Sequence, residues 1–86
     1  MDKQLILEHK QFLLERLKNL TKLNKDANNL IRDWKKSSLT EAEQWIKDSY
    51  IFIEQNNCTI KIIKDQLLRN YPLELSRKEL TLLKRY

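Results

Sequence analysis

The residues that could carry chemistry are few and scattered. There is one histidine, His9, and one cysteine, Cys58. Catalysis needs groups of tuned pKa within hydrogen-bond reach of each other, and these two fall on different predicted helices. His9, between Glu8 and Lys10, reads as part of a wet helix face. Glu41 and Glu43 are two apart on a helix and point to different sides, while Glu8 and Glu15 share a face at about 10 Å separation, too far to share a substrate. A single cysteine forms no disulfide within the chain, and no Cys/His cluster has the spacing of a tetrahedral zinc site. Cys58 reads as a structural thiol in a reducing compartment. The chain has no glycine at all, which excludes the glycine-dependent phosphate loops, dinucleotide fingerprints and nucleophile elbows. The expectation is a protein that is not an enzyme and holds no metal or cofactor.

What remains is charge. Lys and Arg number 17 against 12 Asp and Glu, a net +5 over 86 residues. The balance is uneven: residues 1–36 carry +4, residues 37–58 carry −3 and residues 59–86 carry +4. On the last predicted helix Arg77, Lys78, Thr81, Lys84 and Arg85 share one arc at ~100° per residue, with Leu80, Leu82, Leu83 and Tyr86 on the other. Lys35 and Lys36 form a second basic group near the first turn. These seven residues are the candidate contacts for a protein or DNA partner. Trp34, Tyr71 and Tyr86 adjoin basic residues, as bases stacked on a protein would require, but Trp34 and Tyr86 also fall on predicted apolar stripes and read as core.

The elements that must position these residues are helical. Glycine is absent and Pro72 is the single proline, so hairpin turns lack the residue that takes positive φ. Residues 3–36 show no break, and Ile6, Leu13, Leu17, Leu20, Ala27, Ile31 and Trp34 recur at helical spacing. Lys10 and Asn24 interrupt the seam with polar groups. Leu5, Leu7, Phe12, Leu14, Leu23 and Leu30 widen the apolar face beyond a two-position stripe, as bundle packing requires. The run 24–29, with three Asn and one Asp, is its weak point, because their side chains compete for backbone hydrogen bonds.

Connections are expected at 36–40, 56–58 and 71–75. Thr40 and Glu43 fit a capping box opening a second helix over 40–55, with Ala42, Trp45, Ile46, Ser49, Phe52 and Ile53 as its buried stripe. Gln55-Asn56-Asn57 suits a turn, after which Thr59 or Asn57 caps a third helix over 59–70, with Ile60, Ile63, Leu67 and Tyr71 facing inward. Pro72 stops that helix. Ser76 and Glu79 form a second capping box, flanked by a Leu75/Leu80 hydrophobic staple, and open a last helix over 76–86.

The fold expected is all-α, a single domain over 1–86: a compact antiparallel bundle of three to four helices with a long first helix. The short apolar stretch before Glu8 does not fit a signal-peptide core, and no apolar run approaches the ~20 residues of a membrane span, so the expected location is cytoplasmic. A wide apolar face with few helices to cover it suggests a homodimer through Leu13, Leu17, Leu20, Asn24, Ile31 and Trp34. In size and composition the chain is similar to small helical immunity, adaptor and inhibitor proteins and to phage and plasmid regulators, without a motif of any of them. The function expected is regulation or inhibition of a protein partner through a helix surface. The alternative is a DNA-binding regulator whose residues 59–86 form a helix-turn-helix-like unit.

Overall fold

The structure, a computed structural model, describes residues 2–86 and is all-helical over them. Three helices follow in order: α1 (Lys3–Lys35), α2 (Glu41–Asn70) and α3 (Arg77–Leu83). The first runs unbroken through 24–29. It opens on an Asp2 cap, whose carboxylate accepts from the Gln4 N–H at 3.0 Å.

The second differs from expectation. Residues 40–55 and 59–70 belong to one helix of 30 residues, and no turn interrupts it at 56–58. Asn56 and Asn57 find partners across the molecule instead of in a local turn: Asn56 Nδ2 donates to Asn24 Oδ1 at 2.9 Å, and Asn24 Nδ2 donates to Asn57 Oδ1 at 2.9 Å. Thr59, expected as a cap, donates its hydroxyl to the Gln55 carbonyl within the helix. The Thr40/Glu43 capping box is also absent. Thr40 sits at φ −61°, ψ −38°, already helical, which turns its side chain away from the orphan N–H groups, and it makes no capping bond. Ser37 closes the connection by accepting from the Leu39 N–H.

The C-terminal boundary is as expected. Ser76 accepts from the Glu79 N–H while the Glu79 carboxylate accepts from the Ser76 N–H, and Leu75 and Leu80 both pack in the core. The helix is shorter than 76–86, because Arg85 and Tyr86 bond to Leu82 and Leu83 in a tighter final turn.

Antiparallel pairing of α1 and α2 is fixed by three contacts along their length: Trp34 against Trp45, Asn24 against Asn56, and His9 against Tyr71. The bundle is elongated, not compact. It measures 55 × 21 × 17 Å with a radius of gyration of 16.7 Å, against about 12 Å for a globular chain of this length. α3 covers only the open end of the α1–α2 hairpin. There Leu13 and Leu17 of α1, Ile60, Ile63 and Leu67 of α2, Leu75 and Leu83 form one core cluster.

Leu13, Leu17 and Ile31 are buried by packing within the chain, with Leu20 and Trp34 half-buried. The stripe expected to join two chains is therefore the intrachain seam. The apolar residues left over lie elsewhere. Leu5, Phe12, Leu23, Leu30, Trp45, Phe52 and Ile62 are all exposed. Trp45 and Phe52, expected inside, are 41 % and 40 % accessible, since the stripe they share is wider than the strip α1 can cover. Leu82, expected on the inner arc of α3, is exposed as well.

Candidate nucleic-acid interface

Polar contacts at the open end hold α3 in place. Lys10 interrupts the apolar seam of α1, and its ammonium donates to Glu79 Oε1 at 3.0 Å and to the Glu74 carbonyl at 3.1 Å. Burial alone would raise the Glu79 pKa, but the Ser76 N–H and the Lys10 ammonium outweigh it and hold the carboxyl below its ordinary value. His9 is exposed, as expected, yet its Nδ1 is bonded to the Tyr71 hydroxyl across the hairpin. Cys58 is exposed on α2 rather than structural. Among the described residues no group of three or more His, Cys, Asp or Glu is arranged to hold a metal ion, and no helix is long and apolar enough to cross a membrane.

The predicted contact residues are split by the length of α1. Lys78 and Thr81 of α3 and Arg85 of the turn after it line a cleft of about 680 Å³ together with Lys18 of α1, over a floor that includes Leu14, Leu82 and Tyr86. Glu15 and the engaged Glu79 also border it. Thr81 turns its hydroxyl back to the Arg77 carbonyl. Arg77, which opens this short helix, and Lys84, its C-cap, are also exposed. Lys35 and Lys36 lie at the far end of α1, where Lys35 sits 5.7 Å above the Tyr50 ring.

Between these groups lies a row that the segment-by-segment charge count does not reveal. Lys18, Lys22, Lys25, Arg32 and Lys36 follow one another at spacings of four, three, seven and four, so they return to one side of α1 and run about 27 Å along it at ~1.5 Å per residue. All five are exposed. The acidic residues of α1 beyond its cap, Glu8, Glu15, Asp26 and Asp33, recur at seven, eleven and seven and occupy a neighbouring arc. The two ion pairs among the described residues are Lys10–Glu79 and Arg69–Asp65. No cation of the row, nor Lys78 or Arg85, has a carboxylate within ion-pair distance. The signal was legible as an i, i+4, i+7 recurrence of basic residues.

The surface thus runs from the C-terminal segment through the cleft and along α1, a linear array of exposed cations that make no ion pair, flanked on one side by the acidic arc. Such an array can hold a partner whose negative charges are themselves repeated along a line. No protein-family model, curated protein or solved structure matches the chain.

Proposed function

We propose that this is a non-catalytic, regulatory helical protein that binds nucleic acid through phosphate contacts, using Lys18, Lys22, Lys25 and Arg32 of α1, Lys36 at its C-cap, Lys78 of α3 and Arg85 in the turn that follows it. The observation that carries this reading is the unpaired cationic row. Exposed cations gain little from isolated surface ion pairs, but each one set against a phosphate releases condensed counterions. Contact along a helix side, instead of insertion of a reading helix, also accommodates the geometry at the C-terminus. α3 has seven residues, Glu79 is held by its cap and by Lys10, and residues 59–70 are the last part of a helix of 30 residues.

Anisotropy of a labelled random duplex, titrated at ~50 mM and ~200 mM salt, tests it. Five or six phosphate contacts weaken affinity by about 10²–10³-fold between those salts. Absence of binding at the lower salt rejects the proposal.

A second reading is supported by the cleft itself, whose apolar floor of Leu14, Leu82 and Tyr86 inside a basic rim suits an acidic protein segment bearing an apolar anchor. On that reading the chain regulates or inhibits a protein. Leu82→Lys would then abolish binding of such a segment, whereas phosphate binding would tolerate or gain from the added charge.

A further inference from the structure

The side of the hairpin facing away from α3 has a different character. Leu5, Phe12, Leu23 and Leu30 recur at seven, eleven and seven residues, which returns them to one azimuth of α1 within ~20°. They are 59 %, 61 %, 45 % and 47 % exposed. Trp34, four residues beyond Leu30, meets Trp45 with ring centroids 5.8 Å apart, so this edge of α1 adjoins the edge of α2 that bears Trp45 and, seven residues on, Phe52. Ile62, 66 % exposed, lies farther along α2. A second cleft, of about 430 Å³, opens on this flank between the two indoles, beside Asp48 and Ser49.

We propose that a second copy of this chain covers this flank, forming a two-fold dimer in which two hairpins make a four-helix bundle. Three observations favour a copy of the chain over another partner. The seven side chains expose about 700 Å² together, given the 150–250 Å² that a large aromatic presents, against roughly 800 Å² per partner in a standard interface.

The register is self-complementary. Position 34 lies beside 45, 24 beside 56 and 9 beside 71, so Phe52 is level with Asn28, between Leu23 and Leu30. Ile62 is level with Lys18, between Phe12 and Leu23, and Trp45 stands just beyond Leu30. A two-fold axis along the bundle lays α1 of one protomer against α2 of its partner at unchanged levels, and the apolar side chains of each helix then enter the gaps of the other. This interdigitation is the packing of helix bundles.

Charge selects the same arrangement. Crossing α1 on α1 would bring the Glu8, Glu15, Asp26 and Asp33 arcs of the two protomers together, whereas α1 on α2 keeps the two arcs apart and sets Asp33 near a carboxylate of the flank, Asp48, which is level with position 32. The basic rows of the two protomers are left outward, on opposite sides of the dimer.

Sedimentation velocity on the full chain, without nucleic acid, is the test, run from ~1 to ~300 µM with Phe12→Glu, Ile62→Glu and, as a control away from the flank, Leu73→Glu. The expected result is a species of twice 10.5 kDa for the wild type and Leu73→Glu. Each flank variant should dissociate at least about tenfold more readily, since a buried unpaired charge opposes association. Circular dichroism of these surface variants confirms that the helices persist. A wild type that stays monomeric to the highest concentration overturns the proposal, as does a dimer unaffected by both flank variants. Because the measurement omits nucleic acid, its failure is distinct from failure of duplex binding.

Discussion

Lys10 and Glu79, 69 residues apart in the chain, are joined at 3.0 Å, and the carboxylate oxygen that accepts from Lys10 also accepts from the Ser76 N–H at 2.8 Å. One oxygen thus closes the N-terminal cap of α3 and fastens that helix to α1. The polar interruption in the seam of α1 is the anchor of the C-terminal helix.

Removing the anchor should destabilise the open end specifically. Glu79→Gln or Lys10→Met is expected to cost about 1.5–3 kcal/mol, the range for a hydrogen bond to a charged group. Urea melts should show the loss, and hydrogen exchange should show it concentrated in residues 71–86. Equal loss of protection at the 36–40 turn would contradict the anchor's local role.

The same carboxylate predicts an acid response. Its folded pKa lies below its ordinary value of 4.5, so its contribution is fully present above that value and is lost as pH falls through the folded pKa. Wild-type stability should therefore drop below pH 4.5 by an increment that Glu79→Gln lacks. Parallel pH profiles of the two proteins would show that Glu79 is not the titrating group.

Asn24 and Asn56 make a prediction of the opposite kind. Asn56→Ala leaves the Asn24 carbonyl oxygen without its donor and should cost about 1–2 kcal/mol. Replacing both by Leu should restore or exceed wild-type stability while loosening the register that the amides specify. A double variant as unstable as the single one, measured by thermal melting, would mean that the pair acts through shape and not through its hydrogen bond.

Leu83 is the one fully buried residue of α3, 1 % accessible. Leu83→Ala should cost about 2–4 kcal/mol by opening a cavity and, because α3 has so little else buried, should release the helix instead of unfolding the hairpin. Far-UV circular dichroism that keeps most of its helical signal, with loss of exchange protection in α3, is the expected outcome.

On the basic row, the combined changes Lys22→Gln, Lys25→Gln and Arg32→Gln should reduce the salt slope of duplex binding by nearly 3, at ~0.9 per phosphate contact removed. The fold should be undisturbed, because all three side chains are exposed. An unchanged slope would show that Lys22, Lys25 and Arg32 do not contact phosphate and would overturn the row as the binding surface.

What the sequence by itself determined is local. The lack of glycine, the unbroken periodicity of residues 3–36, the turn at 36–40 and the Ser76/Glu79 box specify helices and most of their ends, because each rests on dihedral preference or on hydrogen bonds within four residues. The core positions Leu13, Leu17, Ile31, Ile60, Ile63 and Leu67 follow from the same periodicity. Tertiary structure decided what depends on partners distant in the chain. Asn56 and Asn57 have turn propensities of a few tenths of a kcal/mol, which hydrogen bonds to Asn24 outweigh, so α2 continues where a turn was expected. Lys10 is polar on an apolar stripe until Glu79 arrives to receive it. Periodicity marks a wide apolar face but not how much of it a neighbour will cover, and that was settled only when a single antiparallel helix took the central strip and left Phe12, Leu23 and Leu30 at the surface.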